Sequence, residues 1–118
     1  MNKLSAYDLE ERTIRFAENV IELCKESKKD IISQPIITQL VRAATSIGAN
    51  YAEANGASSK KDFKNKVFIS KKECIETKYW LRILAKSEEK LSDKCRILWK
   101  ECHELTLIFS KIAKSSGN

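Results

Sequence analysis

The sequence is poor in residues that interrupt helices: its 118 residues include one proline and three glycines. Straight-chain residues and alanine, which lose little conformational freedom in a helix, are abundant instead. No apolar run approaches the roughly 20 residues of a membrane-spanning helix, and the N-terminal stretch MNKLSAYDLEERTIRF lacks the apolar stretch of a signal peptide. We therefore expect a cytoplasmic protein without a membrane partner, folded as one domain over residues 1–118.

Residues that commonly carry catalysis or bind metals are also scarce. There is one histidine, His103, and no glycine-rich phosphate loop. The Glu-x-x-His pairs of di-iron helical bundles are missing. The four cysteines, which fall on apolar helical stripes and form no CxxC pair, are Cys24, Cys74, Cys95 and Cys102. We expect reduced, structural thiols, no metal, no cofactor and no enzymatic activity.

Four segments repeat apolar residues with the period of an α-helix. They cover about residues 7–28, 35–54, 59–87 and 91–115, with Pro35 in the first turn of the second. Ser58 or Ser59 is the expected N-cap of the third. Because the breaks between segments are short, the predicted fold class is all-α, an antiparallel up-and-down four-helix bundle.

The positive charge is concentrated in the third segment. The chain carries a net charge of +6, and residues 60–86 alone hold nine basic and three acidic side chains. A row within a sector of about 40° on the helical wheel consists of Lys60, Lys64, Lys71, Lys78 and Arg82. The row would extend about 33 Å along the helix, so we predict that it contacts nucleic-acid phosphates. The alternative is a solvated lysine-rich face, and nothing in the pattern specifies base recognition.

The second segment has the opposite character, because the stretch QLVRAATSIGANYAEANG carries only two charges, Arg42 and Glu53. The exposed half of a helix in a monomer normally carries lysine and glutamate. We therefore expect a homo-oligomer interface on this helix, formed by Arg42, Ser46, Asn50 and Glu53. The alternative is a helix buried centrally within one chain. Arg42 and Glu53 lie roughly 16 Å apart along the helix, so each needs a partner on another helix or another chain.

The segments QLVRAATSIGANYAEA and SSKKDF, followed by ECIETKYWLRIL, resemble the four-helix-bundle proteins encoded within bacterial 23S rRNA intervening sequences. The matching positions are Gln39, Leu40, Arg42, Ala43, Ala44, Ser46, Ile47, Asn50, Ala52, Glu53, Glu76 and Thr77. The resemblance implies a barrel-like homopentamer with basic surfaces and an association with RNA. The family's Glu-Gly-x-Gly-Arg turn is replaced here by EANGASS, which lacks its first glycine and its arginine.

Two functions remain open at this stage. The first is a non-enzymatic, oligomeric bundle that associates with RNA or DNA through the basic row. The second is a protein-interaction module, for example an adaptor for a reverse transcriptase or another nucleic-acid enzyme. A more distant resemblance to the accessory bundle protein of diversity-generating retroelements points to this second function. Its hydrophobic anchors would be Phe68, Ile75, Tyr79 and Trp80.

Overall fold

The computed structural model describes residues 6–115, and within that range the chain forms four long α-helices and no strand. The helices are α1 (Ala6–Lys25), α2 (Ser33–Asn55), α3 (Lys60–Ser87) and α4 (Ser92–Ser115), and a 3-10 turn, Glu89–Leu91, leads into α4. The predicted all-α class and the four helices are confirmed. None of the helices in this range is long and apolar enough to cross a membrane.

The apolar seams of the four helices meet in a common core. The heptad seam that begins at Leu91 in the 3-10 turn is buried along α4 as far as Phe109, and the seam of α1 is buried from Leu9 to Leu23. The Tyr51 ring of α2 packs at a tilt against Phe109, with ring centres 5.4 Å apart. Burial of these seams supplies the main driving force for packing, because each fully buried large apolar side chain contributes roughly 1.5–3 kcal/mol.

Cross-helix polar contacts join the outer rims of these helices. Arg12 on α1 donates two hydrogen bonds to Glu101 on α4, at 2.7 and 2.8 Å, and a third to Glu104 at 2.8 Å. Near the other end of α1, Lys94 donates to both carboxylate oxygens of Glu26 at 2.8 Å. These contacts lie at the edge of the α1–α4 packing and fix how the two helices sit against each other.

The first helix is shorter than its predicted span because a carboxylate from α3's C-cap binds the chain that follows it. Glu88 is 5% exposed and accepts hydrogen bonds from the Ser27 hydroxyl and, at 2.9 Å, from the Lys28 N–H. Lys29 has a φ of 59°, a left-handed conformation that no helix continues through. The helix therefore ends at Lys25 rather than near residue 28.

The starts of α2 and α3 are set by nearby side-chain caps. Asp30 accepts hydrogen bonds from the N–H groups of Ile32 and Ser33 at 3.1 and 2.8 Å, so α2 begins at Ser33 instead of Pro35. At α3 the Ser59 hydroxyl oxygen accepts the Asp62 N–H at 3.0 Å. Ser59 is thus the N-cap, one of the two residues predicted for it.

All four cysteines are buried free thiols. Burial raises the pKa of Cys24 and of Cys95 to about 11. The Cys102 thiol donates to the Cys74 carbonyl at 3.3 Å, and its pKa is raised by its hydrogen bonding with Cys74 and then by burial. Their placement agrees with the expectation that they act as small apolar residues.

Gly48 lets α2 approach α1 closely. A Cβ atom at this position would lie 2.5 Å from the Thr13 hydroxyl oxygen and 3.0 Å from the Thr13 Cβ. Thr13 is 1% exposed and its hydroxyl donates to the Glu10 carbonyl at 2.6 Å, so it has little room to move. The mid-helix glycine, which costs about 1 kcal/mol relative to alanine, is therefore explained by packing.

We predict that Gly48→Ala lowers the free energy of unfolding by about 1–2 kcal/mol, because overpacking outweighs the gain in helix propensity. Urea denaturation would measure it. The same substitution at Gly56, where a Cβ would make only an ordinary 3.8 Å contact, should change stability by less than about 0.5 kcal/mol. Thr13→Ala should relieve most of the cost of Gly48→Ala. Full stability of the single Gly48→Ala variant would contradict the packing argument.

We also predict that the free energy of unfolding depends on pH through the carboxyl group of Glu88. Burial favours a raised pKa, but the hydrogen bonds from Ser27, Lys28 and Ser33 outweigh it, and the pKa of the Glu88 carboxyl is lowered. Its stabilisation is therefore complete above the unfolded pKa of about 4.3 and is lost as the pH falls through the folded value. Glu88→Gln should cost about 2 kcal/mol at neutral pH, and the difference from wild type should shrink below about pH 4.

Chemical denaturation across this pH range measures the Glu88 effect directly. The matched control is Glu89→Gln, which removes an exposed neighbouring carboxylate and should leave stability within about 0.5 kcal/mol of wild type. A difference in the free energy of unfolding between wild type and Glu88→Gln that stays constant at every pH would contradict this prediction. It would show that the negative charge of Glu88 does not strengthen its hydrogen bonds with Ser27 and Lys28.

Candidate functional site

Arg42 on α2 contacts two carboxylates of α3. Its Nη1 lies 3.4 Å from Glu73 Oε1, and its Nη2 donates to Glu76. Trp80 Nε1 also donates to Glu76, at 2.9 Å. The hydrogen bond from Arg42, followed by that from Trp80, lowers the pKa of Glu76. Both carboxylates therefore lie on the side of α3 that faces α2.

The basic residues of α3 have far fewer partners. Lys66 pairs with Glu53 on α2 at 2.8 Å. The other eight form no ion pair with any residue between 6 and 115, and they are Lys60, Lys61, Lys64, Lys71, Lys72, Lys78, Arg82 and Lys86. The acidic side chains of the helix are thus largely separated from the basic ones.

The predicted phosphate-binding row is only partly open to solvent. Lys60, Lys64 and Arg82 are exposed, whereas Lys71 and Lys78 are half-buried. The row therefore includes positions along the edge of α3 that packs against α4, and its five members do not share one environment.

Lys78 is the member of the row that contacts α4 directly. Its Nζ lies 3.1 Å from Nδ1 of His103 and 5.2 Å from the centre of the Trp99 ring. The Trp99 and His103 rings stack with an interplanar angle of 11° and centres 5.1 Å apart. Lys78 thus fixes an aromatic pair and also supplies positive charge. The lone histidine serves this packing role, and the described residues hold no cluster of three His, Cys, Asp or Glu side chains that could bind a metal.

Large apolar side chains lie on the exposed face of α3. Phe68, Ile75 and Tyr79 are 52%, 49% and 57% exposed. The fourth predicted anchor, Trp80, is half-buried and is turned towards Glu76. Only three of the four proposed anchors are therefore open at the surface.

The predicted interface residues of α2 have partners inside the chain. Arg42 pairs with α3, and Glu53 pairs with Lys66. The Ser46 hydroxyl donates to the Arg42 carbonyl at 2.7 Å, and the Asn50 side chain donates to the Ser46 carbonyl at 2.8 Å. The requirement for partners on another helix is thus met by α3, and the role of these residues between subunits stays a prediction.

Between residues 36 and 54, the exposed residues of α2 other than Arg42 and Glu53 carry no charge. They are Thr38, Thr45, Ala49 and Ala52. On the neighbouring α1, Tyr7, Ile14 and Ile21 are 70%, 45% and 38% exposed, and their seven-residue spacing aligns them along one edge of the helix. These residues form an uncharged strip on each helix, although α1 also exposes Arg15, Glu18 and Glu22.

A cleft of about 330 Å³ opens between α3 and α4. The lining residues are Leu81, Arg82, Ala85, Ser92, Cys95, Arg96 and Trp99, and none of them is acidic. The sequence pattern did not identify this site, because its two sides come from different helices and follow no motif. The only signal was Arg82, which already belonged to the predicted row.

The fold and its surface define a class: an all-α protein of four long helices, in which unpaired basic side chains gather on one helix. The chain belongs to the 23S rRNA-intervening sequence protein family, whose model matches residues 6–114. Most of the chain is covered by this match, so the resemblance that rested on segments of α2 and α3 extends to all four helices.

A solved structure from Bacteroides thetaiotaomicron supports the same assignment. It is a protein of unknown function from the S23 ribosomal protein family, and it is 30% identical in sequence to this chain. The alignment covers 92% of this chain and 97% of that protein, with a TM-score of 0.82. No curated protein matches the chain.

Proposed function

We propose that this protein is a non-enzymatic, oligomeric helical bundle that associates with RNA through the basic residues of α3. The observation that carries the proposal is the absence of ion pairs, within residues 6–115, for eight of the nine basic residues of that helix. Paired surface charges attract an external polyanion less than unpaired ones do, because the partner carboxylate cancels the local field.

The geometry of α3 supports a phosphate-binding role. Arg42 holds Glu73 and Glu76 on the side facing α2, which leaves Asp62 as the acidic residue remaining near the start of the helix. From Lys60 to Arg82 the basic residues extend about 33 Å, a length over which a strand presents several phosphates. Membership of the 23S rRNA-intervening sequence protein family is consistent with RNA as the partner.

We infer that neighbouring helices run antiparallel, since their contacts occur in reversed order. Arg12 meets Glu101 and Glu104, whereas the later Glu26 meets the earlier Lys94. Between α2 and α3, Arg42 contacts Glu73 and Glu53 contacts Lys66. The same reversal joins α1 to α2, because Glu10 contacts Asn55 and Thr13 contacts Gly48.

We further propose that copies of the chain assemble through the uncharged strips of α1 and α2, as the pentamer that the family resemblance implies. Exposed alanine and threonine side chains on α2, beside Ile14 and Ile21 of α1, form a surface that another subunit would cover at little desolvation cost. Arg42, Ser46, Asn50 and Glu53 would border this surface. The reduced thiols are consistent with a cytoplasmic setting.

A second function is favoured by the apolar residues on the exposed face of α3. Phe68, Ile75 and Tyr79 would anchor a protein partner, such as a nucleic-acid enzyme, as hydrophobic hot spots do. Specific co-purification with such an enzyme, together with no affinity for RNA, would favour this function over the first.

We predict that Lys60→Glu combined with Lys64→Glu weakens binding to a short structured RNA. The slope of log K against log salt should fall by about 1.4–1.8, because two phosphate contacts are lost. Fluorescence anisotropy between about 50 and 200 mM salt would measure it. The control, Lys111→Glu with Lys114→Glu, makes the same charge change at exposed positions near the end of α4. Equal affinities and slopes for both double variants would sink the assignment to α3.

We predict that Thr45→Lys combined with Ala49→Lys disrupts the oligomer, because unpaired charge at the centre of an interface is strongly unfavourable. Light scattering coupled to gel filtration should show wild type as an oligomer and this variant at lower mass. Lys100→Gln with Lys111→Gln, on α4, should leave the wild-type mass unchanged. A wild-type protein that is monomeric would overturn the proposed assembly.

A further inference from the structure

The cleft between α3 and α4 combines features that the basic row alone does not explain. Its floor is apolar, with Leu81 fully buried and Cys95 2% exposed. Two guanidinium groups approach it from opposite helices, Arg82 from α3 and Arg96 from α4. The volume of about 330 Å³ falls at the lower end of the range for small-molecule sites, about 300–1,000 Å³.

The two arginines are available to an anion. Arg82 is exposed and has no ion pair within residues 6–115. Arg96 pairs with Asp93 at 3.0 Å, but both side chains are largely exposed, and such pairs contribute little. A guanidinium presents five N–H donors in a planar fork, so Arg96 retains donors for a phosphate group while it contacts Asp93.

An aromatic surface adjoins these donors. Trp99 lines the cleft, and its indole is fixed by stacking on His103 and by the Lys78 ammonium. A pre-positioned ring loses little entropy when a planar ligand packs against it. Stacking of bases on aromatic side chains is tolerant of sequence, which agrees with the lack of any base-recognition motif.

We propose that this cleft holds one nucleotide of a single-stranded RNA segment, with its phosphate between Arg82 and Arg96 and its base against Trp99. The inference rests on the proposed RNA association and names the place where the strand is anchored. The basic residues of α3 lead from Lys60 to the cleft at Arg82, so the remaining phosphates would follow the helix. This continuity favours a strand over a free nucleotide.

The test uses the full chain carrying Trp80→Phe, which leaves Trp99 as the only tryptophan. A short oligoadenylate should quench Trp99 fluorescence with the same midpoint that anisotropy gives for binding. Adenosine 5′-monophosphate should quench at higher concentration. Inorganic phosphate at equal concentration should not, because it lacks a ring to stack.

Two sets of variants separate the cleft from the rest of the surface. Arg82→Gln with Arg96→Gln should weaken oligoadenylate binding about tenfold and lower the salt slope by about 0.7, because one phosphate contact is lost. Lys111→Gln with Lys114→Gln, the same charge change at exposed positions near the other end of α4, should do neither. Trp99→Leu should weaken binding by about five- to 160-fold, with thermal melting to verify its fold.

The outcomes distinguish the two proposals. Oligoadenylate that binds without quenching Trp99, with the arginine variant equal to its control, overturns the cleft and leaves RNA association through α3 intact. The absence of any RNA binding overturns both. Quenching by inorganic phosphate that matches quenching by the nucleotide would reduce the cleft to a simple anion site and would also overturn the proposal.

Discussion

The contact between Arg42 and the carboxylates of Glu73 and Glu76 is the interaction on which the charge distribution of the surface formed by α2 and α3 depends. It joins α2 to α3 and holds two of the three acidic side chains of α3, Glu73 and Glu76, on the side that faces α2. Along α3 itself only Lys72, four residues before Glu76, is placed to pair with either carboxylate, so Arg42 is their main source of compensating charge. One arginine on a nearly uncharged helix thereby neutralises two of the three carboxylates of the next helix and leaves its basic side uncompensated.

The fold was largely predictable because helical periodicity records which face is buried. The apolar seams that run from Leu9 to Leu23 on α1 and from Cys95 to Phe109 on α4 follow that period and are buried. The ends of helices were less predictable where they depend on residues far away in the sequence. Glu88 ends α1 through Ser27 and Lys28, some 60 residues away, and no local pattern encodes that contact. Ser59, by contrast, caps α3 by accepting a hydrogen bond from the N–H of Asp62, only three residues further along the chain. The sequence identified it as one of two candidates for the N-cap.

The candidate site shows the same contrast between features that follow from one helix and features that require the packing of two. A helical wheel groups Lys60, Lys78 and Arg82 on one sector, but it contains no information about the neighbouring helix. Contact between Lys78 and the Trp99–His103 pair requires the position of α4. Likewise, Arg42 was expected to need a partner outside its own helix, and only the packing of α2 on α3 identifies that partner. The cleft joins Arg82 to Arg96 and Trp99, a combination that exists only after the helices have assembled.

The four thiols have a consequence for how the molecule opens. The thiolate is the reactive form of cysteine, and the raised pKa values of about 11 for Cys24 and Cys95 leave almost none of it at neutral pH. Burial also excludes reagents from Cys74 and Cys102. These thiols belong to α1, α3 and α4, so alkylation at each one reports when that particular helix separates from its neighbours. The rate of alkylation at each cysteine, measured by mass spectrometry, therefore reports local unfolding without any residue being added to the sequence.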